Sequence, residues 1–232
     1  MKKQILPFVF LLLVGCSSDS EKSNLESLVH EFEVSLIENR DSITYNRPAP
    51  TDVESLINKN NPYDSEGVLI WEINKRIDTQ VESILSNPES NFTTDLEPFI
   101  NTELKTLKVV DSLSNDETIL LKSFERNFIP SFEYITAYEN FAKENFENLE
   151  EVKNFLIICS RIKIGLFTFD TLQNRTRSFS AWENCLVQCI RTKYKKQNAI
   201  EWIQFALNPG ADVLWKAAAC GWDCRKFDYY GL

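Results

Sequence analysis

Residues 152–169 read VKNFLIICSRIKIGLFTF, a strongly apolar segment in the second half of the chain. Its large apolar side chains recur at helical spacing: Phe155, Leu156, Ile158, Cys159, Ile162, Leu166 and Phe167. The charges of Lys153, Arg161 and Lys163 exclude a membrane span, because a spanning helix needs about 20 predominantly apolar residues. The segment therefore predicts the central helix of a helical bundle.

The neighbouring sequence carries repeated helix-start signals. A Ser or Thr followed three residues later by Glu forms a capping box, which satisfies otherwise unpaired backbone N–H groups. The pattern occurs at residues 51 and 54, 94 and 97, 114 and 117, and 180 and 183, with a close relative at 148 and 151. Pro130 lies within the apolar run of 119–146 and should kink or divide it, because proline removes a helical hydrogen bond and crowds the preceding turn. The sequence predicts an all-α fold, with a helical bundle over 25–175 and a helical tail over 176–232.

The N-terminus has the features of an export signal. Lys2 and Lys3 precede an apolar run of about ten residues, which ends in Leu13-Val14-Gly15-Cys16. This ending resembles the lipobox of bacterial lipoproteins. The resemblance implies that residues 1–15 are a removed signal peptide and that Cys16 carries a diacylglycerol and a further acyl chain such as palmitate. The alternative is an ordinary secretory signal in which Cys16 is incidental.

Residues 16–24 are small and polar, and they predict a flexible tether between the anchor and the bundle. Position 17 is Ser rather than Asp, which by the same resemblance favours the outer membrane of a Gram-negative bacterium. The sequence therefore predicts a cell-envelope protein whose membrane contact is a lipid anchor.

Two cysteine pairs share one spacing, CLVQC at 185–189 and CGWDC at 220–224. An exported chain enters an oxidising compartment, where such thiols form disulfides. Zinc sites and thioredoxin-like centres are the alternatives, but both favour two residues between the cysteines. Residues i and i+4 of one helix lie about 5–6 Å apart at Cβ, whereas a disulfide needs about 3.5–4.5 Å. Bonds within either pair are therefore disfavoured.

Two antiparallel helices can join such pairs as Cys185–Cys224 and Cys189–Cys220. The double Cys-x3-Cys pattern resembles the α-hairpinins, small helical toxins and antimicrobial peptides, and this resemblance implies that pairing. The spacer of thirty residues is longer than in that pattern. Because residues 199–207 have helical character, we predict helices over 180–195, 199–207 and 211–225, with a break near 195–198.

The charge is distributed unevenly. Residues 17–151 have a net charge of −17, whereas residues 152–232 have a net charge of +6. This asymmetry predicts either attraction between the two halves or an anionic partner for the basic end. The tail also holds four of the five tryptophans, Trp182, Trp202, Trp215 and Trp222. They predict a small aromatic core, or alternatively a partner surface together with Arg191, Lys193, Lys195 and Lys196.

Residues with catalytic or metal-binding chemistry are scarce. His30 is the only histidine, and it lacks a second ligand or a catalytic partner, so an exposed helical histidine is predicted. Cys159 is predicted to be a buried free thiol. Carboxylate pairs such as Asp116 and Glu117 are explained by capping and solvated faces. A further group of carboxylates has the same explanation: Glu144, Glu147, Glu150 and Glu151. The sequence predicts no catalytic residue, metal site or cofactor.

The sequence therefore predicts a lipid-anchored envelope protein that is a non-catalytic binding or structural component with a protein or glycan partner. Net acidity and a lipid anchor argue against nucleic acid. Two alternatives remain open. One is a hydrolase of envelope polymers that uses scattered carboxylates, and the other is an exported protein of toxin or immunity type.

Overall fold

The computed structural model describes residues 17–40, 52–85, 98–99, 101–103, 105–110, 112–171, 185, 188–189, 192–209, 212, 216, 219–220 and 223–224. All regular structure within these ranges is helical, so the predicted all-α class is confirmed. The helices with defined bounds are α1 (Ser17–Glu38), α2 (Ser65–Leu85), α3 (Asn115–Arg126), α4 (Phe132–Asn145), α5 (Lys153–Thr171) and α6 (Ala199–Leu207). Short 3-10 turns lie at Glu54–Leu56 and Leu149–Val152.

Helix α5 is the centre of the bundle, as its sequence predicts. It contacts α2, α3, α4 and α6. Six consecutive or nearly consecutive side chains of α5 are fully buried: Phe155, Leu156, Ile157, Ile158, Cys159 and Ile162. Because these apolar side chains are removed from water, their burial stabilises the fold through the hydrophobic effect.

Two glycines let neighbouring helices approach α5 closely. A Cβ on Gly67 of α2 would lie 2.4 Å from Ile164 Cγ1 and 2.8 Å from the Ser160 carbonyl oxygen. A Cβ on Gly165 of α5 would lie 2.8 Å from Trp202 Cζ3 in α6. These distances are too short for any side chain, so the small size of glycine sets the spacing of α2 and α6 from α5.

The long apolar run around Pro130 forms two helices rather than one. Helix α3 ends at Arg126, and α4 begins after Ser131, whose side chain accepts a hydrogen bond from the Tyr134 backbone N–H. This division follows the prediction from Pro130. The two helices share an aromatic cluster in which Phe124 contacts Tyr134 and Tyr138 at centroid distances of 5.3 and 5.1 Å.

Glu117 caps two helices. Its Oε2 accepts a hydrogen bond from the Ser114 backbone N–H at 2.8 Å, which completes the predicted capping box of α3. Its Oε1 accepts from the backbone N–H groups of Asn154 at 2.6 Å and Phe155 at 3.3 Å, in the first turn of α5. One buried carboxylate thus fixes the starts of α3 and α5 relative to each other.

We expect Glu117→Gln to lower the free energy of unfolding by about 1–3 kcal/mol, because an amide replaces a charged acceptor of several backbone donors. Urea unfolding followed by circular dichroism measures the change. Asp116→Asn is the matched control, since it removes a carboxylate from the same turn of α3 without touching α5. Equal effects of the two substitutions would contradict the double-cap assignment.

Two sequence expectations differ from the structure near the N-terminal half. Residues 17–24, expected to form a flexible tether, are helical within α1. The start expected at Thr51 and Glu54 lies partly outside the described residues. In its described part, the Asp52 carboxylate accepts a hydrogen bond from the Ser55 backbone N–H at 2.7 Å. Only a 3-10 turn follows, in place of the expected helix.

The described part of the tail has the predicted helical breaks. Residues 192–195 are helical, the helix stops at Lys196, and α6 begins after Asn198, which forms a capping box with Glu201. The next helical residue is Pro209, two positions before the predicted start, because proline suits the first turn of a helix. Helix α6 packs into the main core, so the tail joins the bundle at this helix. Nowhere in the described ranges is a helix both long and apolar enough to cross a membrane.

Candidate functional site

A buried ion cluster surrounds Lys163 of α5. Its Nζ lies 2.6 Å from Asp64 Oδ2 and 2.9 Å from each carboxylate oxygen of Glu139. The three side chains are at most 3% exposed. Asp64 directly precedes α2 and Glu139 lies on α4, so one ammonium group joins three parts of the bundle.

Two asparagines complete this cluster. Asn61 Nδ2 donates to Glu139 Oε1 at 2.8 Å and to the Leu156 carbonyl oxygen at 3.0 Å. The Asn58 side chain donates to Glu139 Oε2 at 2.9 Å, and its backbone N–H donates to Asp64 Oδ2 at 2.6 Å. Every carboxylate oxygen in the cluster therefore has a donor, which is what buried charges require.

Loss of hydration raises the pKa of Glu139, and the Lys163 ammonium group opposes this rise, while the Asp64 charge adds to it. A raised carboxyl pKa is a feature of some catalytic acids. Here, however, both carboxylates face Lys163 in the closed interior, where a substrate has no access. The cluster therefore holds the segment before α2 against α4 and α5.

Arg161 forms a second buried cluster on α5. Its guanidinium donates to the Lys108 carbonyl oxygen at 2.6 Å and to the Ala206 carbonyl oxygen at 2.8 Å, and it lies 3.4 Å from Glu66 Oε2. Burial lowers the pKa of Arg161, and the Glu66 charge opposes that change. Since its partners lie on three separate segments, Arg161 fixes α6 and the chain around residue 108 to the central helix.

These ion pairs connect the two halves of the charge pattern. Lys163 and Arg161 belong to the basic half, whereas their partners Asp64, Glu139 and Glu66 belong to the acidic half. Of the two interpretations of the charge asymmetry, the described contacts favour attraction between the halves.

A surface cavity of about 320 Å³ lies beside α2. We call it the Trp71 cavity. Its aromatic wall is formed by Trp71 and Phe167, whose ring centroids are 5.2 Å apart. Its charged lining residues are Asp52, Glu54, Glu72 and Lys75. The Lys75 ammonium group lies 5.0 Å from the Trp71 ring centroid, in cation–π contact.

The tail cysteines form two disulfides, Cys185–Cys224 and Cys189–Cys220, with Cα–Cα distances of 5.7 and 5.6 Å. This is the pairing that the α-hairpinin resemblance implies, and the predicted disulfide-tied helical tail is confirmed. Cys220 and Cys224 are fully buried. The four cysteines therefore do not form a zinc site in this state, because disulfide sulfurs do not ligate zinc.

A polar group also joins residues on either side of α6 in the tail. The Tyr194 hydroxyl donates to Asp212 Oδ2 at 3.0 Å, and the Lys216 ammonium group binds the Asp212 carboxylate. Lys216 Nζ also lies 4.3 Å from the Tyr194 ring centroid. Burial raises the pKa of Tyr194, and Asp212 raises it further. Tyr194, Asp212 and Lys216 thus add a polar contact between the chain before α6 and the chain after it.

The remaining residues singled out in the sequence lie in several separate places. Cys16 is outside the described residues, as are Trp182, Trp215, Trp222 and Arg191. His30 is exposed, with Nδ1 4.0 Å from Glu33 Oε2. Cys159 is a buried free thiol, as predicted, and burial raises its pKa. Trp202 is only 2% exposed and belongs to the core, whereas Lys195 and Lys196 are exposed.

The carboxylates of the 144–151 group remain at the surface, whereas Glu117 of the other pair is the buried cap described above. Glu144, Glu147 and Glu151 are exposed, and Glu150 accepts a hydrogen bond from the Tyr63 hydroxyl at 2.5 Å. Burial and the Glu150 carboxylate raise the pKa of Tyr63 to about 12. Within the described ranges, no three His, Cys, Asp or Glu side chains are grouped in a way that suits a metal ion.

Asp64, Glu139, Asp212 and the Trp71 cavity are not predicted from the sequence. One available signal was the position of Arg161 and Lys163 inside a strongly apolar helix, because buried cations need carboxylate or carbonyl partners. The sequence identified the cations but did not identify their partners, which lie up to 99 positions away along the chain.

Comparisons with known proteins give no relative from which a function can be transferred. No family model, characterised protein or solved structure matches this chain.

Proposed function

We propose that this protein is a lipid-anchored, non-catalytic binding or structural component of a Gram-negative cell envelope, attached to the outer membrane through Cys16. The observation that carries the proposal is Leu13-Val14-Gly15-Cys16 after a basic and apolar N-terminus. Each buried methylene of an acyl chain contributes about 0.8 kcal/mol, so two or more chains on Cys16 give firm attachment.

The non-catalytic part of the proposal is supported by the chemistry of the described body. The buried charges of Asp64, Glu139, Arg161 and Lys163 bind each other or backbone carbonyls, and so they stabilise packing. Among the described residues, one accessible feature is the Trp71 cavity, which combines aromatic rings with carboxylates. Such a lining suits noncovalent binding of a partner.

The lipid anchor is tested by expressing the full chain in a Gram-negative host with an alkyne analogue of palmitate. We expect label and membrane association in the wild type, loss of both in Cys16→Ser, and retention of both in the neighbouring control Ser17→Ala. Mass spectrometry should show that the mature chain begins at Cys16. An unlabelled wild-type chain with another N-terminus would contradict the anchor.

The binding role is tested by cross-linking intact envelopes and recovering the protein under denaturing conditions. We expect a defined protein or glycan adduct that is absent when the Cys16→Ser chain is released from the membrane. Recovery of bulk lipid alone, or cleavage of isolated envelope polymers by the purified chain, would contradict a non-catalytic binding role.

A further inference from the structure

We propose that the Trp71 cavity binds an organic cation, such as the guanidinium or ammonium end of a short aliphatic chain. This inference deepens the proposed binding function and rests on it, since it names the chemistry of the ligand. Four observations carry it: the size of the cavity, its aromatic wall, its excess of carboxylates and the position of Lys75.

The dimensions suit one small group. A cavity of about 320 Å³ is at the lower end of ligand pockets, which span roughly 300–1,000 Å³. Trp71 is partly exposed and Phe167 is only 3% exposed, so the Phe167 ring supports the indole from behind. Their edge-to-face contact fixes the orientation of the indole, which then offers a flat apolar surface for an alkyl chain.

The charge of the lining favours a cation. Three carboxylates and one ammonium group line the cavity, which leaves it net negative. Glu54 and Glu72 are exposed, and neither carboxylate has a hydrogen-bond or ion-pair partner among the described side chains. Since Glu72 and Trp71 both line the cavity, a cation bound there meets a carboxylate and an aromatic ring together.

Lys75 shows which kind of group the ring accepts. Its ammonium group lies 5.0 Å from the Trp71 centroid and makes no ion pair within the described part of the chain. Lys75 therefore occupies the place that a ligand cation would take, and it competes with that ligand for the ring. Removing the charge of Lys75 should therefore strengthen binding of a cation. If the cavity instead bound a neutral or anionic ligand that contacts Lys75, the same change would weaken binding.

The probe pair is n-butylguanidinium and n-butylurea, which have nearly the same shape and differ in charge. The full chain is purified in detergent and titrated, with binding followed by saturation-transfer NMR. We expect a dissociation constant on the order of millimolar for the guanidinium, as befits a ligand of so few atoms, and no measurable binding of the urea. Higher salt should weaken the guanidinium complex because the carboxylates are exposed.

The variants are chosen at exposed positions so that folding is preserved. Glu54→Gln and Glu72→Gln should each weaken binding about two- to five-fold, the range expected for an exposed ion pair. Lys75→Met should strengthen it by a similar factor. Glu125→Gln, an exposed carboxylate on α3, is the matched control and should have no effect.

Equal binding of n-butylurea, unchanged affinity in the two glutamate variants, or weaker binding in Lys75→Met would each overturn the inference. So would preferential binding of methyl glucoside, which would make the cavity a neutral-sugar site. A chain that is lipidated at Cys16 and cross-links in envelopes, yet binds no guanidinium, overturns this inference alone. If the wild-type chain binds the guanidinium but is found to carry no lipid, only the proposed anchoring is overturned.

Discussion

Replacing Lys163 with methionine is expected to lower the free energy of unfolding by about 3–5 kcal/mol, because it leaves buried carboxylates without their cation. Lys163 Nζ contacts Asp64 at 2.6 Å and Glu139 at 2.9 Å, and Glu139 is fully buried. Methionine has a similar volume and keeps the apolar contacts of the side chain. The loss therefore reports on charge compensation and hydrogen bonding rather than on a cavity.

The size of this loss should depend on pH in a direction fixed by Glu139. Its pKa is raised in the folded chain, chiefly by loss of hydration. A carboxyl with a raised folded pKa stabilises the fold below its unfolded pKa of about 4.3, and that contribution disappears as pH rises through the folded pKa. Without Lys163 the pKa of Glu139 rises further. The deficit of the variant relative to the wild type should then shrink as pH falls from neutrality towards about 4.3.

Urea unfolding at several pH values measures both effects. Lys122→Met on α3 is the matched control, since Lys122 is exposed and its replacement should change stability by less than about 0.5 kcal/mol. Adding Glu139→Gln to Lys163→Met should restore at least about 1 kcal/mol near neutral pH, because one uncompensated charge is removed. A deficit below about 1 kcal/mol, or one that grows on acidification, would show that Lys163 does not compensate these carboxylates.

The parts of the fold that follow local rules could be predicted from the sequence. The apolar spacing in 152–169 predicts the central helix, and α5 lies there with the side chains of residues 155–159 fully buried. Pro130 and the Ser114 capping box predict boundaries because both act within one turn of the chain. The break before Ala199 is local in the same sense, with Asn198 as the cap.

The polar contacts of the interior follow from tertiary packing and could not be predicted in this way. Lys163 meets Asp64 across 99 positions and Glu139 across 24, and nothing in the local sequence distinguishes these carboxylates from exposed ones. Glu117 illustrates the limit within one residue. Its bond to the Ser114 backbone is a local capping rule, whereas its bond to the Asn154 backbone depends on how α3 meets α5.

The Trp71 cavity depends on the packing of three separate segments of the chain. Trp71 lies beside the apolar stripe of α2, and Phe167 belongs to the predicted core of α5. The carboxylates of Asp52 and Glu54 come from just before and within the 3-10 turn that replaces the predicted helix start. Because this turn brings acidic residues next to the indole, the cavity exists only when three segments are packed together.

Breaking both tail disulfides is the second large effect that we expect, with a loss of about 6 kcal/mol in the free energy of unfolding. The bonds span 39 and 31 residues. In the chain-entropy model, either bond alone restricts the unfolded chain and so raises the free energy of unfolding by about 4 kcal/mol. When one bond is present, the second closes only a short loop between adjacent cysteine pairs, so that its additional contribution is about 2.5 kcal/mol.

This geometry predicts an unusual pattern of non-additivity. Each single loss, made as Cys185→Ala with Cys224→Ala or as Cys189→Ala with Cys220→Ala, should cost about 2.5 kcal/mol. Losing both bonds should cost about 1 kcal/mol more than the two single losses together, because the remaining bond restricts the unfolded chain in each single variant. Tyr194 and its partners Asp212 and Lys216 contact each other in all variants and so do not alter this comparison.

Urea unfolding of the wild type and the three variants, with and without reductant, separates cross-linking from packing. Under reducing conditions the wild type also lacks both bonds, so any remaining difference from the variants measures the loss of buried sulfur contacts at Cys220 and Cys224. Under oxidising conditions, the loss of unfolding free energy in each variant beyond that difference measures the contribution of the cross-links. If the two single losses of unfolding free energy add up to the double loss or more, the bonds act through native-state contacts. Restriction of the unfolded chain instead predicts a double loss larger than that sum.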